Sequence, residues 1–222
     1  DTDFTPAVGS EIIIKEPGAF ADVEGQVTFT DLKTSNPVNL WIRQTAYAFN
    51  DAPDNDYIIL QYELSNVSNT KIEGLFAGHY LDWDLRNAAY NKTGYDESLN
   101  TGYIYDAGGS GYGGCQVLSS LGMTAYKSIH HEEELYVYDA FSDSLKWEFL
   151  SGGVQRPVQT AASDYSHIVG TGPISIAPDD TVIVGFAIIG AHQLSDYKEN
   201  AKSAQNQWNL MHGAAPVEGN AS

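Results

Sequence analysis

The feature that most limits the fold of this chain is apolar and polar residues alternating at a period of two. In DYIILQYELSN, Ile58, Leu60, Tyr62 and Leu64 fall on one side and Ile59, Gln61 and Glu63 on the other, the pattern of a strand with two unlike faces. The preceding run NLWIRQTAYAF sets Trp41, Arg43, Thr45, Tyr47 and Phe49 against Leu40, Ile42, Gln44, Ala46 and Ala48. Between the two lies NDAPDND, rich in turn formers, so they are expected to form a hairpin. Further strands are expected at EIIIKE, GQVTFTD, IEGLFAGHYLDWDL, TGYIYD, GGCQVLSS, GMTAYKSI, SHIVGTG, PISIAP and DTVIVGFAIIG, separated by Gly, Asn, Asp and Pro. Many short strands with such turns predict an antiparallel β-sandwich of jelly-roll type.

Two segments carry the helical period instead. SDSLKWEFLSGG opens on Ser and Asp, places Leu145, Phe149 and Leu150 at helical spacing and stops at Gly152, which predicts a short helix. In SDYKENAKSAQNQWNLMHG the residues Tyr197, Ala201, Ala204, Trp208 and Met211 form one apolar stripe. This amphipathic C-terminal helix, capped by Ser195 and ended by Gly213, is expected to dock on its own sheet. No low-complexity linker interrupts the sequence, so residues 1–222 read as one domain with an N-terminal arm at 1–16 and a loose tail at 214–222.

Charge excludes some partners. The 29 acidic residues outnumber 11 Lys and Arg, for a net charge of −18, which repels nucleic acid and anionic membrane. The longest apolar run, TVIVGFAIIGA, is too short to span a bilayer and fits a buried strand. The single cysteine, Cys115, rules out an internal disulfide and fits a small buried residue. The acidic, Tyr-rich composition points to a secreted or cell-surface location.

Acidic residues collect after the strand IEGLFAGHYLDWDL. There Asp82, Asp84, Asn87, Asn91, Asp96 and Asp106 crowd oxygen atoms around glycines and turns, the donors that calcium takes. The spacing is not that of an EF-hand. The other reading is that Asp82 and Asp84 simply leave the strand at its end, into solvent and turn hydrogen bonds. HHEEE at 130–134 lacks the second His that a helical zinc site needs and reads as a charged loop. Ser110 in GGSGYGG is not a nucleophile elbow, because Tyr112 stands at the last glycine position. His79, His167 and His192 are isolated among strand residues. Glu63, Glu73 and Glu148 have no spacing that selects them as a glycosidase pair. The four Trp residues, Trp41, Trp83, Trp147 and Trp208, all fall on faces expected to be buried, which weakens a sugar-stacking role.

From residue 37 to residue 212 the order of features resembles a non-catalytic domain that follows the catalytic domain in secreted bacterial subtilisin-like proteases and related type IX-secreted surface proteins. The resemblance rests on N-x-S after a strand, D-W-D, the G-Y-D loop and T-G-P-x-x-x-x-P-x-D-x-V. It implies a non-enzymatic accessory module that positions or anchors a larger extracellular protein, with Asp82, Asp84, Asn91 and Asp96 holding a structural Ca2+. Partners would then be other domains of a larger protein or copies of the chain. One alternative is a self-assembling fibre or surface-layer subunit whose N-terminal arm adds a strand to a neighbour. Another is a carbohydrate-binding module that takes a polysaccharide.

Overall fold

A computed structural model describes residues 3–139 and 141–213, so the expected tail at 214–222 lies outside the described residues. The strands are β1 (Thr5–Pro6), β2 (Ile13–Lys15), β3 (Val23–Thr30), β4 (Leu40–Ala48), β5 (Tyr57–Asn66), β6 (Ile72–Asp82) and β7 (Asn91–Asp96). They continue with β8 (Thr101–Asp106), β9 (Tyr112–Val117), β10 (Ala125–His130), β11 (Val154–Gln155), β12 (Gln159–Ser163), β13 (Tyr165–Ile176) and β14 (Thr181–Ala191). Two α-helices, α1 (Asp143–Ser151) and α2 (Leu194–Met211), and three short 3-10 helices complete the list among the described residues.

The strands form an antiparallel β-sandwich. A ten-stranded sheet runs β1-β3-β4-β5-β14-β9-β8-β7-β12, with β2 also paired to β3. A four-stranded sheet, β11-β10-β13-β6, covers part of it. The expected hairpin is present, with Ile42 opposite Leu64 and Ala46 opposite Leu60. SHIVGTG and PISIAP are one strand, β13, whose pairing with β6 shifts register between Thr171 and Ile174.

Strand parity decides what each face buries. On the inner face Leu40, Ile42, Leu64, Val184 and Phe186 meet Tyr126, Val169 and Ile174 of the small sheet. On the outer face Tyr47, Tyr57, Ile59, Ala187 and Ile189 meet Tyr197, Ala201, Ala204 and Trp208 of α2. Helix α1 lies against the outer face of the small sheet, where Phe149 joins Ile129 and Ile168. The layers are therefore helix, large sheet, small sheet, helix. Close approach of α2 requires Gly185, since a Cβ there would lie 2.4 Å from the Trp208 ring.

The helix ends differ in their capping. Ser142 caps α1, its hydroxyl accepting from the Leu145 amide at 3.4 Å, and Gly152 ends it as expected. Helix α2 instead starts one residue before Ser195, with Gln193 at the cap and no side-chain cap bond. Ser195 spends its hydroxyl on Asp196 at 3.0 Å.

The N-terminal arm is held by its own chain. Residues Thr5 and Pro6 pair with Thr30 and Phe29, and Ile13–Lys15 pair with Glu24–Gln26. The stretch between Asp82 and β8 contains a strand the sequence did not suggest, β7, paired with β8 on one side and β12 on the other. No helix among the described residues is long and apolar enough to cross a membrane.

Candidate functional site

Three strand ends of the small sheet, joined by the end of β12 from the large sheet, bring chemistry together. Strand β6 ends at Asp82, β10 ends one residue before His131, and β12 turns through Asp164 into β13, which carries Ser166 opposite Asp82. The His131 amide donates to the Asp164 carbonyl at 3.1 Å, which pins the two segments. Asp82, Ser166 and Tyr80 share the outer face of the sheet, the side on which α1 lies.

The side chains are linked. His131 Nδ1 lies 3.2 Å from Asp164 Oδ1, and His131 Nε2 lies 2.9 Å from Ser166 Oγ. One ligating atom each of Asp82, His131 and Asp164 falls within 4.8 Å of the other two. Ser166 is fully buried and His131 is 4% exposed, whereas Asp82 is exposed and the Asp164 side chain is 34% exposed. Two carboxylates therefore face outward over a buried imidazole. Tyr138 sets its ring edge-on to His131 at 5.8 Å and Tyr80 packs on Phe141 at 5.0 Å.

Electrostatics bears on Asp82. Partial burial pushes the Asp82 carboxyl above the usual carboxylate range, His131 opposes that, and the Asp164 and Asp84 charges add to it. Burial likewise raises the Tyr80 hydroxyl; Ser166 works against the rise and Asp82 and Asp164 reinforce it. An imidazole bonded to one carboxylate and lying close to a second can hold the first in place and exchange protons with it. The same three donors are spaced to hold a metal ion.

The expected calcium ligands are placed differently. Asp82 and Asp84 are exposed at the end of β6, on either side of half-buried Trp83, whose indole Nε1 donates to His167 Nε2 at 3.3 Å. Asn91 is buried at the start of β7, and its amide donates to the carbonyls of Leu85, Asn87 and Ala88 at 3.1, 2.7 and 3.1 Å. Asp96 sits at the far end of β7, roughly 16 Å along the strand. There it accepts from Ser98 and pairs with Lys198 at 2.8 Å. Calcium ligands lie about 2.3–2.6 Å from one ion, so the structure does not gather these four into one coordination sphere.

Other expectations also shift. Trp41 and Trp147 are 41% and 59% exposed, while Trp208 is buried as expected. Glu63 pairs with Arg43 at 3.1 Å and Glu73 with Lys71 at 2.7 Å. HHEEE is a turn as expected, but it delivers a buried histidine to the site. Sequence reasoning missed Asp164, Ser166 and the role of His131. They come from separate segments, and no spacing links them.

Comparison with known proteins adds the fold. No family model and no curated protein matches the sequence. Among solved structures the chain resembles a candidate aldose 1-epimerase from Klebsiella pneumoniae subsp. pneumoniae MGH 78578, with a TM-score of 0.50 and 7% identity. That match covers 88% of this chain and 57% of the other, so this chain spans little more than half its length. A protein of Synechocystis sp. PCC 6803 aligns with a TM-score of 0.48 at 8% identity, over 83% of this chain and 66% of that one.

At 7% identity the first likeness is one of fold. It overturns the expectation of a non-enzymatic accessory module, and with it the expectation that the chain is not an enzyme: the sandwich matches a protein described as a sugar epimerase. The fibre alternative required a free arm, and β1 and β2 are paired within the chain.

Proposed function

We propose that the chain is a carbohydrate-processing enzyme whose Asp82–His131–Asp164 cluster moves protons at the anomeric centre of a sugar. The observation that carries this reading is the arrangement of two outward-facing carboxylates and a buried imidazole with ligating atoms within 4.8 Å. The fold likeness to a candidate aldose 1-epimerase supports it.

Opening a cyclic sugar hemiacetal removes a proton from the anomeric hydroxyl and delivers one to the ring oxygen. Asp82, held protonated to higher pH than an ordinary carboxyl, is suited to give a proton to the ring oxygen. Asp164 then takes the anomeric proton. The C1–O5 bond breaks and C1 becomes a carbonyl, so charge and atoms balance. Rotation about C1–C2 and the reverse steps close the ring as the other anomer. His131, bonded to Asp164, positions that carboxylate, and ring closure by the reverse steps returns the proton from Asp164 to the sugar and from the sugar to Asp82.

The test is polarimetry or proton NMR on freshly dissolved α-anomers of several aldoses. The expected result is equilibration faster than buffer alone, lowered by about 10²- to 10⁴-fold in Asp82→Asn, the span of general acid–base catalysis. Anomer exchange at the buffer rate for every sugar in the panel would end this reading.

A further inference from the structure

A cavity lies between the sheets, away from the carboxylate cluster. It has a volume of about 280 Å³ and is walled by Phe29, Ile42, Leu64, Leu75 and Phe186. Strand β6 is the last strand of the small sheet, so no further strand closes the gap between it and the β3–β4 part of the large sheet. The space opens there. Phe4, 46% exposed and edge-on to Phe29 at 5.7 Å, stands among its lining residues. No Lys, Arg, Asp or Glu is among them.

One polar pair faces this apolar space. Tyr62 Oη lies 3.3 Å from His79 Nε2, and the His79 ring packs edge-on to Phe186 at 4.7 Å. Burial pulls the His79 imidazole down to about 4 and pushes the Tyr62 hydroxyl up to about 12, so both are neutral at pH 7. A neutral imidazole and a phenol hold two donor protons, and the bond between them uses one. Whichever tautomer His79 adopts, one donor of the pair has no acceptor among the described residues. Such a donor beside an apolar wall is left for a ligand's acceptor to meet.

We infer that this cavity binds a small apolar molecule carrying a single uncharged oxygen, a hydroxyl or carbonyl, which accepts the spare proton of the Tyr62–His79 pair. Size follows from the volume: a 150 Å³ cavity takes benzene, so 280 Å³ takes about eleven heavy atoms. A carboxylate is excluded because its charge would enter an apolar wall with no cation to meet it. This site is independent of the proposed sugar chemistry. His79 points to the inner face of β6 and Asp82 to the outer, so failure of one does not bear on the other.

The test compares 2-naphthol, naphthalene and 2-naphthoate by titration calorimetry with the full chain. Expected is saturable one-to-one binding of 2-naphthol, about 5- to 10-fold weaker binding of naphthalene for the lost hydrogen bond, and weaker binding still of 2-naphthoate. The double variant Tyr62→Phe/His79→Leu is expected to bring the naphthol and naphthalene affinities together. Ala77→Phe, which fills the cavity from β6, is expected to abolish both. The inference is overturned if no saturable binding is seen, if 2-naphthoate binds best, or if binding survives Ala77→Phe. Should the double variant not fold, NMR contacts from 2-naphthol to the Phe186 and His79 rings decide, and their absence in the presence of binding overturns the assignment.

Discussion

Gly185 and Trp208 offer the most searching test of how α2 is seated. Trp208 is 6% exposed, packs at a tilt on His212 with ring centres 3.9 Å apart, and lies over the bare backbone of Gly185. Burying an aromatic side chain removes about 150–250 Å² from water. At about 25 cal/mol per Å² that is roughly 4–6 kcal/mol, so Trp208→Ala should cost about 3–5 kcal/mol. Gly185→Ala alone places a Cβ 2.4 Å from the ring and should cost about 1–3 kcal/mol by overpacking. In the Trp208→Ala background the ring atoms nearest that methyl are gone, and the entropic gain of Gly→Ala, about 0.4–1 kcal/mol, remains. The two substitutions should therefore be non-additive by about 2 kcal/mol, read from urea unfolding of the four proteins. Trp147→Ala, at a 59% exposed position, serves as the control and should cost about 1 kcal/mol or less. Additivity within about 0.5 kcal/mol would refute the packing described for α2.

Other consequences concern buried charge. Lys127 Nζ lies 2.9 Å from Glu134 Oε1, the two side chains being 9% and 12% exposed. Glu134→Ala strands that ammonium and should cost about 3–5 kcal/mol, measured by urea unfolding at pH 7. Burial pushes the Glu134 carboxyl up, yet hydrogen bonds from Tyr136, Lys127 and the His130 amide outweigh it and leave it below its ordinary value of 4.5. Its contribution is thus present above pH 4.5 and lost as pH falls through the lowered value; in Glu134→Gln unfolding profiles that acid-side loss should shrink. His167 is fully buried and pulled down to about 3, and His79 to about 4, in both cases by burial. The unfolded chain takes up these protons near pH 6.5 and the folded chain does not. Stability should fall as pH drops from 6.5 toward 4, at up to about 1.4 kcal/mol per pH unit for each histidine. His167→Gln should flatten that slope; an unchanged slope would show that His167 is not buried neutral.

What the sequence made legible followed from burial on one or two clean faces. Strands β4, β5 and β14 were readable because each carries an alternating or continuous apolar set, and both parities of β14 are used, Val184 and Phe186 inward, Ala187 and Ile189 toward α2. Strand β7 was not, because NKTGYD has no apolar alternation. It pairs through backbone bonds, with buried Thr93 accepting from the Gln159 amide at 2.9 Å. Trp41 shares parity with Tyr47, yet only Tyr47 packs with the residues of α2. Face parity was right there; the reach of the covering helix was not readable. For the carboxylate cluster the limit is different. Asp82, His131 and Asp164 meet because three strands of one sheet end together, a fact of topology that local pattern does not encode.

The edge strand β6 joins the two candidate sites, and its period of two explains how. Successive residues face opposite sides, so Tyr80 and Asp82 are delivered to the outer face beside His131, while Ala77 and His79 are delivered to the inter-sheet cavity. Pairing with β13 fixes this assignment through Ser166 opposite Asp82 and Val169 opposite His79. A slip of one residue would put the acid into the apolar space and the imidazole outside. The register shifts in this pairing lie near Ile174, where Gly74 adopts φ +67°, well before His79 and Asp82. Irregularity is thus confined to the end of β6 that carries neither group. The repelling pair Asp82 and Asp84 is tolerated for a related reason: β6 ends at Asp82, so both acids reach water while Trp83 stays anchored to His167.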